Sequence, residues 1–303
     1  MRVGYSFDHL MRHFQGDYDR AFTAIKKAGI TAVDYYDYLG NTGKLSATEE
    51  DRYCKEVLDA CKKYDVEISQ AHAPYLSWRT EEQFMSEEFF KRVVASIERA
   101  SHLGVKYLVV HPFDPEGIDF FRNAQPFDYS KLIDHNKELN LRYYERFIPY
   151  LKKCGVMICI ENLFSYDILM QRHAKSVCGD ADETNFYIDQ LGEEYFGACY
   201  DSGHLNHFGG DEGEYIRKLG KRLKCVHLHD SWGKDFHGMD WHLMPGQGDV
   251  DWYKIADAMK EVGYEGVANF ELAAPRDKRW FDPYITYVGT MGNLIFNLFF
   301  HKF

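Results

Sequence analysis

Eight short runs rich in Val, Ile, Tyr, Phe and Cys recur along this chain, each followed by a longer helical pattern. The runs predict strands at 2–7, 31–37, 66–73, 106–112, 156–163, 196–203, 223–230 and 265–272. Helices are predicted near 17–29, 47–64, 81–104, 134–154, 181–192, 211–222, 251–264 and 280–300. In the third of these, Phe89, Phe90, Val93, Val94, Ile97 and Ala100 share one helical face. Gly29, Gly104, Gly155, Gly192 and Gly263 stand where helices should stop. A strand followed by a helix, eight times over, is the order of a (β/α)8 TIM barrel of the α/β class. No Pro/Ser linker or break in composition divides the 303 residues, so one domain spanning 1–303 is expected.

Composition narrows the class further. With 45% hydrophobic and 27% charged residues, the chain has enough apolar material to bury a core, which excludes disorder. A net charge of −11 argues against a nucleic-acid partner, although a bound cation can create a local positive well on an acidic surface. The seven cysteines are scattered with no C-x-x-C pair, which argues for a reduced, cytoplasmic protein and against zinc ribbons. Met1 leads directly into RVGYSF, so no signal peptide is expected. The longest apolar run, near 294–300, is too short and too polar to span a bilayer. Homo-oligomerisation is left open.

The chemistry collects where strands end. Predicted strand three ends in His72, four in His111, five in Glu161, and six in Asp201 followed by His204. Strand seven ends in His227 and strand eight in Glu271. Active sites of barrels lie at the carboxyl ends of their strands, so six strands deliver a ligand-type side chain to one mouth. The stretch 226–252, VHLHDSWGKDFHGMDWHLMPGQGDVDW, adds Asp240 and His242. Imidazole and carboxylate at such spacing suit a borderline divalent cation. A single His72 or His111 is more often a packed core histidine, but a carboxylate inside a barrel must be paired or metal-bound. The coincidence of all these positions makes a metal site the stronger reading. The loops after strands four, five and seven, about 15–20 residues each, are of functional length.

Other residues receive plainer readings. His207 is read as a loop residue and His237 as a solvated or substrate-side group. His229 is ambiguous, with a supporting place behind the ligands as one reading, and Asp230 caps the loop. Gly246-Gln247-Gly248 is a turn rather than a phosphate cradle. The RDKR run at 276–279 is a solvated start to the last helix. The aromatics Trp78, Phe113, Phe120, Phe121, Trp232, Phe236 and Trp241 are placed in mouth loops, where apolar rims suit sugar faces.

The runs ICIENLF, CYDSGHLNHFGGD, VHLHD, DWHLMPGQGDVDW and NFEL resemble the xylose-isomerase-like barrel superfamily over the whole chain. That superfamily includes sugar phosphate isomerases/epimerases and the apurinic endonuclease family 2. In its epimerase branch the resemblance implies one divalent metal, Mn or Zn, held by Glu161, Asp201, His227 and Glu271, with the two glutamates as acid and base. In the endonuclease-IV branch it implies a three-zinc cluster that adds His72, His111, His204, Asp240 and His242. Two departures stand out. Ketose 3-epimerases carry a Glu six positions after the first metal Glu and an Arg six after the metal His, whereas this chain has Asp167 and Gly233. The nuclease branch has a glycine after its histidine–proline pair, whereas this chain reads HPFD.

The expected function is therefore a metal-dependent sugar or sugar phosphate isomerase/epimerase working by enediol proton transfer on a small-molecule sugar. The alternative is a zinc phosphodiesterase of the endonuclease-IV type acting on abasic DNA. A degenerate barrel that merely binds a sugar fits less well with intact carboxylates. The acidic balance and the aromatic loops favour the small-molecule reading.

Overall fold

The computed structural model describes residues 1–75, 80–114, 124–233 and 240–298. The strands are β1 Arg2–Ser6, β2 Ala32–Tyr35, β3 Glu67–His72, β4 Tyr107–Val110, β5 Met157–Glu161, β6 Phe164–Asp167, β7 Arg172–Lys175, β8 Phe196–Asp201, β9 Leu223–His227 and β10 Val267–Phe270. Eight of them form one parallel sheet in the order β10-β1-β2-β3-β4-β5-β8-β9. The sheet curls until its edges meet: Leu228, just past β9, bridges Phe270 in parallel, and the Glu271 amide donates to the Leu228 carbonyl at 3.1 Å. The chain is thus a (β/α)8 TIM barrel, with helices around the strands.

The strands are short and apolar because both faces are covered, by the barrel interior and by the helices. β2, β5, β8 and β10 are buried along their whole length. The surrounding helices begin at side-chain caps. Ser46 and Glu49 form a capping box for Ala47–Tyr64, and Asp17, Ser86, Asp180, Asp211 and Asp251 each accept an amide of the first turn. Gly155, at φ 68°, closes the helix Ile148–Cys154 and turns the chain into β5.

Several expected helices are subdivided. The 81–104 pattern is Glu81–Phe84 and Glu87–His102, because Ser86 caps a new helix start. The 134–154 pattern is Ile133–Glu145 and Ile148–Cys154, with Pro149 in the first turn of the second. The 280–300 pattern is Phe281–Asn293 running into a π-helical turn. Among the described residues there are also elements that the sequence pattern did not announce. Phe7–Phe14 follows β1 with no turn between, Ser202–His207 follows β8, and β6 and β7 form an antiparallel hairpin in the loop after β5.

The helix Phe281–Asn293 lies so close to the end of the helix Tyr18–Lys27 that a Cβ at Gly289 would overlap the Ala28 carbonyl oxygen. Alanine gains about 1 kcal/mol over glycine in a helix interior, but backbone cannot yield as a flexible side chain can. Gly289→Ala is therefore expected to lower stability by about 1–3 kcal/mol through overpacking. Urea unfolding reads this as a lower midpoint at unchanged slope, and an unchanged or higher midpoint contradicts it.

Candidate metal centre

Glu161, Asp201 and His227 are the last residues of β5, β8 and β9, and Glu271 follows β10. Strand ends place all four at the carboxyl mouth, and one ligand atom from each lies within 4.8 Å of the others. His227 is central to the group. Its Nδ1 lies 3.0 Å from Glu161 Oε1 and 3.4 Å from Glu271 Oε2, while Nε2 donates to Asp34 Oδ2 at 2.9 Å. Asp34 also accepts from Gln70 Nε2 at 2.9 Å, and Asn269 Nδ2 donates to Gln70 Oε1 at 2.7 Å. A hydrogen-bonded polar column inside the barrel thereby fixes the ring.

Two further groups adjoin the first. His72, at the end of β3, and His111, just past β4, join Glu161. Their Nε2 atoms lie 3.2 Å apart, and Glu161 Oε2 is 3.0 Å from His111 and 3.6 Å from His72. Glu161 Oε2 is buried and makes no hydrogen bond, despite these neighbours. Ring nitrogens converging on an unsatisfied carboxylate oxygen is a donor set that fits a cation. The other group is His204, His229, Asp240 and His242. Asp240 Oδ2 lies 2.9 Å from His242 Nε2 and 3.3 Å from His204 Nε2, and His229 Nε2 lies 3.0 Å from Asp201 Oδ1.

The hydrogen bonds behind these rings decide which nitrogen faces inward. A backbone carbonyl only accepts, so the ring nitrogen against it carries the hydrogen. His72 Nδ1 donates to Ala73 O at 2.6 Å, His204 Nδ1 to Asn162 O at 3.0 Å, and His242 Nδ1 to Glu271 O at 2.9 Å. In each neutral ring Nε2 then offers a lone pair to the mouth, the arrangement that supports a metal-bound imidazole. Carboxylates plus imidazoles in these three sets suit a divalent cation.

Without a cation, the two kinds of group neutralise each other. Burial opposes charge on Glu161, but His227 and His111 outweigh it and hold the carboxyl well below its ordinary value. Burial likewise opposes ionisation of Asp240, and His242 and His229 overcome it. Glu271 is lowered to about 2, against burial, chiefly by His227 and His242. The rings move the other way. Burial would lower His204, but Asp201 and Asp240 raise it to about 10, and His227 and His242 are raised well above the ordinary range by Glu161 and Asp240 respectively.

Some expectations need correction. His207 is not a loop residue. It ends the short helix Ser202–His207, is buried, and places Nε2 3.0 Å from Asp240 Oδ1. Its three-residue spacing from His204 was the signal, since both share one helical face. Phe113 is a core residue packed on Phe84 rather than a rim aromatic. Trp232 and Trp241 are exposed, as a mouth rim requires. Asp34 was not anticipated, although a carboxylate within a barrel strand is itself informative. Asp167 accepts the amides of Phe127, Leu169 and Met170, so its carboxylate holds loop backbone. Asp230 accepts from the amides of Ser231, Gly246 and Val250 and from Trp252 Nε1, and pairs through its backbone with Leu243. Trp78, Phe120, Phe121, Phe236 and His237 lie outside the described residues.

Comparison with known proteins follows the same lines. A family model described as "Xylose isomerase-like TIM barrel" matches residues 22–284. "Probable endonuclease 4" of Metamycoplasma arthritidis is 23% identical over 278 residues, covering 84% of this chain and 87% of the relative. A solved "D-tagatose 3-epimerase-like protein" has a TM-score of 0.68 at 20% identity, over 97% of this chain and 98% of that one. The solved "IOLI protein with a binding zinc atom" has a TM-score of 0.68 at 16% identity, over 100% of both chains. At these identities the structural likeness speaks for the fold.

A cation that binds these rings must displace their protons, because His204 holds its proton up to about pH 10 in the cation-free state. Zinc or manganese binding is therefore expected to release protons and to tighten as pH rises. Calorimetric titration in buffers of different ionisation enthalpy measures the release. A binding heat independent of buffer, with affinity flat in pH, contradicts it.

Proposed function

The chain belongs to the xylose isomerase-like TIM barrel family, and on that premise we propose that it is a divalent-metal-dependent isomerase or epimerase of a sugar or sugar phosphate, with residues 1–303 as one domain. The observation that carries this reading is the pair Glu161 and Glu271. They come from different strands and meet at the same ring nitrogen of His227, at 3.0 and 3.4 Å. Two ionised carboxylates flanking one substrate position suit moving a proton off one carbon and back onto another or onto its opposite face.

Glu161, Asp201, His227 and Glu271 would hold the cation, Mn or Zn. When bound, it would polarise a carbonyl and its neighbouring hydroxyl and so acidify the intervening C–H. The two glutamates differ in access: the Glu271 side chain is 30% exposed and that of Glu161 is 1%. Glu271 is thus the carboxylate that first meets a substrate, and it takes the proton. Glu161, backed by His111 Nε2 at 3.0 Å, would return a proton drawn from that ring, and the pair resets when Glu271 releases its proton to solvent and His111 regains one. His72, His111, His204, Asp240 and His242 bind the substrate hydroxyls or a further cation. The exposed Trp232 and Trp241 supply apolar surface for a sugar face. Asp167 and Gly233, where ketose 3-epimerases carry Glu and Arg, direct the assignment away from that particular specificity. Seven unpaired cysteines support a reducing, cytoplasmic location.

One observation favours a second reading. Three ligand groups adjoin one another, which suits a multinuclear centre cleaving a phosphodiester, and the endonuclease relative matches along most of the chain. The net charge of −11 works against a DNA-binding groove.

Glu271→Gln keeps the shape and removes the base, and is expected to retain sugar binding while costing about 10²–10⁴ in rate. Solvent deuterium should enter the substrate carbon during turnover. Transfer of hydrogen without exchange contradicts proton transfer. Zinc-dependent cleavage of abasic DNA, with no turnover across candidate sugars and sugar phosphates, decides for the phosphodiesterase.

A further inference from the structure

Beneath the carboxylates and imidazoles, the barrel interior is lined with sulfur. Cys159 of β5, Cys199 of β8 and Cys225 of β9 are all buried, all unpaired, and pack together with Val109 as a separate cluster. Register brings one of them to the candidate centre. Cys199 is the Cα partner of Glu161 across β5 and β8, and of Cys225 across β8 and β9. It precedes Asp201 by two residues, so both side chains point to the same face of β8. As a result Cys199 Sγ, a Glu161 carboxylate oxygen and a His227 ring nitrogen lie within 4.8 Å of one another. Glu161 and His227 also belong to the four-residue group above, so the thiol adjoins that group through these two shared members.

We propose that Cys199 is a further ligand to the divalent cation, and that it biases the site toward thiophilic ions such as zinc, cobalt and cadmium over manganese and magnesium. The proposal rests on the reading that Glu161 and His227 hold a cation. Zinc bonds to sulfur at about 2.3 Å and to nitrogen or oxygen at about 2.0–2.2 Å, so ligand atoms on one ion stand up to roughly 4 Å apart. The observed grouping is compatible with that span after a small closure of the site. As the metal–sulfur bond forms, the thiol proton passes to solvent and the sulfur keeps the electron pair. Manganese and magnesium gain little from sulfur, because they prefer carboxylate, carbonyl and water oxygen. Cys225, the cross-strand partner, packs with Cys199 in the same buried cluster.

Cobalt(II) loading of the full chain tests this without reference to turnover. Visible ligand-field bands report that cobalt is bound, and a near-ultraviolet thiolate-to-cobalt charge-transfer band reports sulfur in its shell. The wild type should show both. Cys199→Ser and Cys199→Ala should keep the visible bands and lose the near-ultraviolet one, while Cys225→Ser keeps both. Cadmium affinity should fall about 10–100-fold in the Cys199 variants, on the scale of a lost supporting partner, with manganese affinity unchanged. Should the variants fail to fold, zinc-edge X-ray absorption of the wild type detects a sulfur neighbour directly. Visible bands without the near-ultraviolet band, or a zinc shell of nitrogen and oxygen alone, overturn the Cys199 assignment while leaving the cation site intact. A charge-transfer band lost in Cys225→Ser but kept in the Cys199 variants overturns it as well. Absence of any cobalt binding overturns the cation site itself, and the proposal with it.

Discussion

Everything at the barrel mouth depends on keeping charge buried. Glu161 is 1% exposed, and a lone ionised carboxylate at such depth would take up a proton rather than remain charged. Its ionisation is maintained by imidazoles converging from β4 and β9, and theirs by carboxylates in return. The result is a mutual compensation among acids and bases that share one small volume. Removing any one partner leaves a buried charge without an answer, so the groups stand or fall together.

Barrel architecture makes this compensation attainable. Parallel strands all finish at the same rim, so residues far apart in sequence arrive together without long connections. Closure occurs at the site itself: Leu228 bridges Phe270, with His227 and His229 on either side of the first and Glu271 after the second. The hydrogen bonds that complete the cylinder therefore also orient the side chains around the candidate cation. Below them, Asp34, Gln70 and Asn269 occupy interior positions that apolar side chains usually fill, and so extend the polar zone downward along the axis.

Most of the fold is legible in the sequence because a barrel strand buried on both faces is written in Val, Ile, Phe, Tyr and Cys, and each such run here is a strand. The ligand-type residues are legible for a related reason: a charged side chain at the end of an apolar run needs an explanation. Legibility fails where the signal is shorter than the pattern sought. Phe7, Leu10, Met11 and Phe14 have helical spacing, but the helix they bury starts directly from β1 with no turn residue to announce it. His207 occupies the last position of a six-residue helix that reads as loop. The β6–β7 hairpin follows a strand end too closely for its alternation to be separated from β5. Asp34 carries a weak mark, a single acid within AVDYY, whose partner lies nearly two hundred residues away.

Asp230 has a consequence beyond its own hydrogen bonds. Its carboxylate gathers the amides of Ser231, Gly246 and Val250 and the Trp252 indole, which fastens the stretch 240–252 that bears Asp240 and His242. The conformational entropy of ordering that segment is thus surrendered when the chain folds, rather than at each arrival of a ligand. Asp240 and His242 accordingly meet their ligand as preset geometry. Inheritance of the site then rests on a residue that touches no ligand, so drift at Asp230 would appear as weakened affinity in a chain whose coordinating side chains are all still in place.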